Sequence, residues 1–548
     1  MKETYSFFKK YYQKRYILIF IYFLTSIGKK ICMLAIPYMT KLLIDTIQYN
    51  DLLNLKKYTI ILVMLMIVFQ VFLSINYYIK EFIEISVLSE LKRNLIKKSM
   101  MLPFSKIKLV SNGEFIQRIF NDTQTVRPLI IQIYTETIIN IIYSISICFI
   151  MLKLNIFITV ILILLIPIFL LICKIYMPHI EIANKAIISE DENLKTLSEE
   201  TLNGNFDIRV SNAYKYINNK FFNSIKKYNK ASLKNAKYNM KYNYIFTTGI
   251  MNFSTLLIYC LGGYLVIQKY FTIGTLISFT LYFSRLWDPV EYFMDLPKNL
   301  KISKISLSRL NSFINIENEN HGTIDILPEF SSLKLENIKF SYDNKIMLNG
   351  LDLTINSGDK IGIKGGNGSG KSTLANIISM ITPNYDGNGY YNNINFKDIN
   401  YNKLREKVIL IPSNSYIFND TIIKNITLNN TSKEDFKKFM NKNKLFNLFK
   451  NNNIDLDMKI SNNDNKISAG EKKIVQILRG LFLNGEIYIL DEPLNYIDNK
   501  HKSLLIDFIE TYLKDKTIII ISHDESIFRC CNKLYYLDNK KLVNEINR

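Results

Sequence analysis

The chain has 548 residues, too many for one ordinary domain, with a formal charge of +21 and apolar side chains making up 48% of it. The apolar residues crowd the first half, and cations sit beside those runs, as Lys9, Lys10, Lys14 and Arg15 do ahead of the first, so the charge fits cytoplasmic segments of a membrane protein and argues against a nucleic-acid binder. The six cysteines (Cys32, Cys148, Cys173 and Cys260 in apolar stretches, Cys530 and Cys531 adjacent) show no metal spacing and no disulfide framework, which fits core residues in a reducing cytoplasm.

Residues 3–14 place Tyr5, Phe8 and Tyr12 at helical spacing with Lys between them, the pattern of a short helix lying in a membrane interface. Six apolar runs follow, near 16–46, 57–80, 129–152, 155–176, 244–268 and 272–296. Each reaches the roughly 20 residues that a hydrocarbon core about 30 Å thick requires of a helix, which predicts six spans. The first run is too long for a cleavable signal peptide and lacks a small-residue cleavage site. The connections after the second and fourth runs (about 81–128 and 177–243) are long and Lys-rich, so they and both termini are expected in the cytoplasm. Helical periodicity persists through them, as in ISVLSELKRNLIKKSM, predicting helices that continue beyond the bilayer. The expected division is a transmembrane domain over 1–318, a polar linker over 319–332 carrying Gly322 and Pro328, and a soluble domain over 333–548.

In the soluble part KIGIKG, KVILIP, EIYILDEP and KTIIIIS read as buried strands, each followed by a loop, and helical stretches lie between them. That alternation predicts an α/β domain with a mainly parallel sheet and its site at the strand C-termini. The abundant Asn there reads as compositional bias.

The chemistry begins at Gly365, Gly366, Asn367, Gly368, Ser369, Gly370, Lys371, Ser372 and Thr373, which fit G-x-x-x-x-G-K-[ST] between a strand and a helical stretch. The glycines let backbone N–H groups wrap phosphates and the helix N-terminus adds its positive dipole end; Lys371 neutralises the β- and γ-phosphates and Ser372 ligates Mg²⁺. Downstream, the apolar run IYIL ends in Asp491 and Glu492, the first placed to hold Mg²⁺ through water and the second to polarise an attacking water as general base. His523, ending the run IIIIS, is placed to reach the γ-phosphate.

Between the phosphate loop and the carboxylates lies Ile467-Ser468-Ala469-Gly470-Glu471-Lys472-Lys473, which resembles the L-S-G-G-Q signature of ATP-binding-cassette proteins. Asn495-Tyr496-Ile497-Asp498 resembles that family's D-loop, and Tyr342 stands where the family has an aromatic that stacks on adenine. The resemblance covers the whole chain: six spans with two long cytoplasmic loops and then a cassette is similar to an exporter half-transporter. It implies an all-α six-helix transmembrane domain of the exporter type fused to a P-loop NTPase domain, with Mg-ATP as the fuel. It implies a multi-pass protein of a bacterial plasma membrane, the cassette on the cytoplasmic side. It also implies two cassettes docked head to tail, in a homodimer or with a related half-transporter, so that Ser468, Ala469, Gly470 and Glu471 meet the partner's ATP while Asp498 lies at the seam. Regions near 104–112 and 202–213 would carry cassette closure to the helices, ATP binding favouring an outward-open bundle.

Three positions depart from the family pattern. Ser413 stands where a glutamine normally reaches Mg²⁺ and senses the membrane domain; its short side chain would need a bridging water. Ala469 replaces a glycine and adds a Cβ near the nucleotide. Asn462, in Ile460-Ser461-Asn462-Asn463-Asp464, stands where a glutamate is usual. Two readings stay open: a homodimer with drifted sequence, or the ATP-holding half of a heterodimer whose partner supplies the better signature.

The sequence starts directly with the interfacial helix, so no peptidase domain is expected ahead of it, unlike exporters that trim a leader themselves. Lys29 and Lys30 interrupt the first run, and Glu136 and Asn140 occur in the third. Charges there either line a pathway, favouring anionic or amphipathic cargo, or snorkel or pair with Glu136. Peptide, drug and lipid cargoes all remain compatible.

Overall fold

A computed structural model describes residues 2–109, 112–319, 322–342, 345–428, 433–442, 455–462 and 467–545. Asn463 and Asp464, and residues 110 and 111 of the expected transmitting region, lie outside them. The chain forms two compact units, Met1–Lys97 with Asn112–Asn315, and Lys98–Ser111 with Ile316–Arg548.

In the first unit, helical segments carry all six apolar runs: Tyr16–Gln48, Leu52–Met100, Gln132–Leu154, Ile156–Asn203, Tyr214–Ile267 and Ile273–Ile314. The fifth is Tyr214–Met240 joined to Thr248–Ile267 through a wider, π-helical turn at Lys241–Thr247. Among the described residues, Tyr16–Gln48, Leu52–Met100, Gln132–Leu154 and Tyr214–Ile267 are long and apolar enough to cross a membrane, while in Ile156–Asn203 the apolar stretch is the shorter Ile156–Leu165. The most apolar window of Leu52–Met100 is 0% buried, as expected of a face turned to hydrocarbon. Inward, Tyr143, Ile147, Leu162, Ile258, Phe279 and Tyr282 pack into a common core.

The long connections are helical, as their periodicity predicts. At 49 residues, Leu52–Met100 is about 70 Å long at a rise of 1.5 Å per residue, more than twice a hydrocarbon core. The N-terminal helix Lys2–Gln13 buries Phe8 and Tyr11, and the Tyr12 hydroxyl donates to Ile130 O at 2.5 Å. Lys14 and Arg15 both bond Glu90, at 2.5 and 3.0 Å.

The second unit contains a six-stranded sheet. Four adjacent parallel strands are Lys360–Lys364, Thr517–Ile521, Ile487–Asp491 and Val408–Ile411; the parallel strand Lys533–Asp538 and the antiparallel Lys541–Glu545 extend the other edge. Ile487–Asp491 and Thr517–Ile521 are buried at every position, which explains their unbroken apolar sequence. A four-stranded antiparallel sheet, built from Ser332–Tyr342, Lys345–Asn356, Asp386–Tyr391 and Ile394–Asn395, shares a core with the first through Leu335, Leu353, Ile361 and Ile378. Lys98–Ser111 joins this unit, where Glu319 N–H donates to Met101 O at 2.9 Å and Lys98 bonds Asn318 at 2.7 Å. The short helix Phe104–Leu109 lies in that segment, and Asn205–Val210 in the first unit occupies the other expected transmitting region.

Candidate active site

The four adjacent parallel strands all end on one side of the sheet, so four loops far apart in sequence meet there. They carry the glycine loop after Lys364, Ser413 after Ile411, Asp491–Glu492 and His523. A cleft of about 310 Å³ lies among them, lined by Asn367 to Thr373, Ser413, Asn414, Asp491, Glu492, Asn495, Tyr496 and His523, with Met347 at its side. The ends of parallel strands are where such sheets hold ligands.

The glycine loop turns into the helix Lys371–Ile378 through Gly370, whose φ of +111° lies in the left-handed region; a Cβ there would also stand 2.8 Å from Met347 O. The buried Lys371 ammonium donates to Gly365 O at 2.7 Å and Gly366 O at 2.9 Å, and lies 3.3 Å from His523 Nε2. Burial holds its pKa below the usual lysine value, with Glu492 and Asp491 opposing that shift. Gly365 and Gly366 themselves are outside the cleft lining.

Asp491 is buried, and burial raises its carboxyl pKa against hydrogen bonds from the Ser372 hydroxyl and Ser413 N–H and the charges of Lys473 and Lys371. Its Oδ1 is buried with no hydrogen-bond partner. Such an atom is costly to leave unpaired, and beside the Ser372 hydroxyl it fits a divalent cation with oxygen ligands. Glu492 has a φ of +48°, unusual for a residue with a side chain, fixed by its N–H bonding Ile521 O at 2.8 Å. Its carboxylate accepts from His523 N–H at 3.3 Å and lies 3.6 Å from His523 Nε2. Lys371, Asp491, Glu492 and His523 are thus brought together as expected.

The signature residues are placed elsewhere. Ser468 caps the helix Ala469–Phe482, its Oγ accepting from Glu471 N–H at 3.2 Å, while the Glu471 carboxylate accepts from Ser468 N–H at 2.7 Å and from its hydroxyl at 3.1 Å. Ser468 and Ala469 are exposed and do not line the phosphate-loop cleft. Ala469 and Asn462 line a neighbouring hollow of about 440 Å³ that shares Ser413, Asn414 and Tyr496 with it. Gly470 packs on the D-loop, where a Cβ would stand 2.8 Å from Tyr496 O. Asp498 pairs with His501, which holds its carboxyl below the usual range. Tyr342 is 36% exposed and sits edge-on to Phe340 with centroids 4.8 Å apart, outside the cleft lining.

Sequence reasoning missed a row of donors on the helix Ala469–Phe482. Lys473 is 2% exposed and donates to Ser413 O at 2.9 Å and Pro412 O at 3.2 Å, with Asp491 O at 3.5 Å. Burial lowers its pKa to about 8, against the pull of Asp491 and Glu492. Gln476 donates to Ser415 O at 2.7 Å, and Arg479 to Tyr416 O at 3.0 Å and Asn425 O at 2.7 Å. Positions 473, 476 and 479 fall on one helical face, the signal that was available.

Comparisons with known proteins bear on the family and the fold. Residues 19–290 match the model of the ABC transporter transmembrane region, and residues 348–495 the ABC transporter model. The chain is 28% identical over 389 residues to the lactococcin-G-processing and transport ATP-binding protein of Lactococcus lactis subsp. lactis, covering 69% of this chain and 54% of that one. It is 29% identical over 362 residues to the microcin-J25 export ATP-binding/permease protein of Escherichia coli, covering 64% and 61%. It is 27% identical over 438 residues to a multidrug resistance-like ATP-binding protein of Buchnera aphidicola, covering 79% and 74%. The chain thus spans about half to three quarters of the length of these relatives. A bacterial Atm1-family ABC exporter solved with ATP bound shares the fold, with a TM-score of 0.78 and 18% identity over 97% of this chain and 95% of that one.

Proposed function

The chain belongs to the ATP-binding-cassette transporters, and from that premise we propose that it is one half of an ATP-driven exporter in a bacterial plasma membrane, hydrolysing ATP on the cytoplasmic side. One observation carries this reading. The phosphate loop, Asp491, Glu492 and His523 share a cleft, while Ser468 to Glu471 remain outside it on an exposed helix end. A second cassette, docked head to tail, completes the site by presenting its own signature.

Within that site the loop backbone and Lys371 bind the phosphates, and His523 is within reach of the γ-phosphate. Glu492 orients and deprotonates the attacking water. Ser372 and Asp491 fit Mg²⁺, which when bound neutralises charge developing on the phosphates. Tyr342 is the candidate adenine platform. The exposed Phe206 and Val210 on Asn205–Val210 suit transmission of cassette closure to the membrane helices. By the names of the relatives the cargo is a small peptide or a drug-like amphiphile.

A second reading, an ATP-holding half that works only with a related partner, is favoured by Glu471. Its carboxylate occupies the hydroxyl of Ser468 and adds a negative charge where the signature would approach a partner's triphosphate. Reconstitution in vesicles separates the two. Brisk, cooperative Mg-ATPase from this chain alone supports the homodimer, and turnover appearing only with a second half-transporter supports the heterodimer. Neither, together with no Mg-ATP binding, overturns both.

A further inference from the structure

Six ionisable side chains of the first unit lie within electrostatic reach of their neighbours in the set. They are Lys29 and Lys30 on Tyr16–Gln48, Lys80 on Leu52–Met100, Glu136 on Gln132–Leu154, and Arg285 and Asp288 on Ile273–Ile314. Four are cations and two are carboxylates, and Glu84, beside Lys80 on the same helix, adds a third carboxylate, leaving an excess of one positive charge among these helices. Among the described residues, none of the four cations comes within 4.0 Å of a carboxylate oxygen. The Lys30 ammonium instead stands 4.2 Å from the centroid of the Tyr143 ring. Tyr143 is 2% exposed and its hydroxyl has no hydrogen-bond partner. Glu136 is engaged by Gln132 Nε2 at 3.3 Å.

Some other polar side chains in this bundle are satisfied internally, although Asp45 Oδ1 and Ser254 Oγ are buried without a partner. Buried Asn76 donates to Tyr22 O, Thr25 and Ser26 at 2.6 to 3.1 Å. Uncompensated charge in a membrane domain is expensive and persists where it faces a water-filled path or a ligand. Simple snorkelling does not account for this set, because the charges come from four helices and converge, instead of each leaving along its own. On the orientation set by the cationic loops, Lys80 ends its apolar run, Glu136 lies two turns into its own, and Lys29 and Arg285 lie three to four turns from the cytoplasmic ends of theirs. The cluster is therefore nearer the cytoplasmic side, where an exporter takes on cargo.

We propose that this cluster is a cargo site for an amphipathic organic anion, its acidic group held by Lys29, Lys30 and Arg285 and its apolar part lying among the surrounding apolar helices. The inference rests on the exporter reading and deepens it by naming a substrate class. The excess positive charge supplies the preference for an anion, the Lys30 ammonium has an aromatic ring and no carboxylate against it, and Glu136 and Asp288 weaken the hold enough for release.

The chain contains a single tryptophan, Trp287, adjacent to Asp288, which gives a local signal that needs no hydrolysis. The full chain in phosphatidylcholine nanodiscs is titrated with N-lauroylglycine and with its uncharged amide while Trp287 fluorescence is followed. The carboxylate is expected to bind at least tenfold more tightly than the amide. That preference falls to within about twofold in the Lys29→Gln/Lys30→Gln variant, survives in Lys29→Arg/Lys30→Arg, and widens in Glu136→Gln, a gain that misfolding would not produce. Nanodiscs containing phosphatidylglycerol distinguish the source: competition with the probe marks an anionic lipid as the cargo, and no competition marks a soluble amphiphile. Equal affinity for acid and amide, or a preference unchanged when both lysines are neutralised, overturns the proposal. Loss of Mg-ATPase activity with discrimination intact would instead count against the exporter reading.

Discussion

Replacing Lys473 with methionine keeps the length of the side chain and removes its charge. At neutral pH the buried ammonium is protonated although its pKa is lowered from 10.5 to about 8, a penalty of about 3 kcal/mol at 1.36 kcal/mol per unit. Against it stand the bonds to Ser413 O at 2.9 Å and Pro412 O at 3.2 Å, each worth about 1.5–3 kcal/mol when the donor is charged. The two sides nearly offset, so Lys473→Met is expected to move the thermal midpoint by no more than about 5 °C. Function is a different matter. Ser413 N–H bonds the Asp491 carboxylate, so releasing the Ser413 carbonyl frees the strand end that positions Asp491. A misplacement of about 1 Å at a reacting centre costs on the order of 100-fold in rate, and Lys473→Met is expected to lower kcat by about 10- to 100-fold with KM within about threefold. The assay is Mg-ATPase in proteoliposomes, with the partner half included if the chain alone is inactive. A kcat within twofold of the parent would refute the positioning role. So would parallel losses of stability and nucleotide affinity, which would make Lys473 a packing residue.

Three further outcomes follow from the same geometry. Glu492→Gln should lower turnover at least about 100-fold while Mg-ATP binding persists, seen by comparing hydrolysis with nucleotide retention; unimpaired turnover would assign the base elsewhere. The double change Ala469→Gly with Glu471→Gln should raise the ATPase of the purified chain alone severalfold with less than about 1 kcal/mol change in stability, because glutamine can still close the capping box; no gain would favour neutral drift. Asp524, bonded to Lys502 at 2.7 Å and to Ser526, has a carboxyl pKa lowered to about 2. A depressed carboxylate stabilises fully above its unfolded value near 3.8 and loses that contribution as pH falls through the folded value. With the side chain 31% exposed and screened by solvent, Asp524→Asn should cost about 1 kcal/mol at pH 7, a difference that shrinks between pH 4 and pH 2 in thermal shift measurements.

The half of the candidate site around the glycine loop was legible in the sequence because its signal is local. Gly365 to Thr373 must be contiguous to wrap a phosphate, and Asp491 and Glu492 must end a buried strand. The α/β alternation alone implied that those strand ends meet. The four-stranded antiparallel sheet was read less well: Leu351, Leu353 and Ile355 alternate with Asp352, Thr354 and Asn356 in Lys345–Asn356, but register shifts break the pattern in the neighbouring Ser332–Tyr342. Lys473 was hidden for another reason. Among 69 lysines and arginines, one more cation carries no signal, and only its burial, set by packing against Val408–Ile411, makes it distinctive.

The departure at Ser413 and the burial of Lys473 belong to one design. A glutamine side chain at position 413 would reach toward the nucleotide on its own; serine cannot. In this chain the same segment is held from behind, by Lys473, Gln476 and Arg479 donating to the carbonyls of Pro412, Ser413, Ser415 and Tyr416. All three donors stand on the helix capped by Ser468. A rigid helix cannot be displaced at its capped end by a docking nucleotide without also moving donors one to three turns along it. In the proposed head-to-tail dimer, contact at the signature of this chain would be passed through that row to Ser413 and the Asp491 carboxylate, through backbone where the family's usual side chain is missing. The row also makes position 473 more sensitive to mutation than position 413: shortening Ser413 to alanine removes no carbonyl acceptor and should change turnover by less than about twofold, whereas removing the Lys473 ammonium leaves two buried carbonyls without their charged donor.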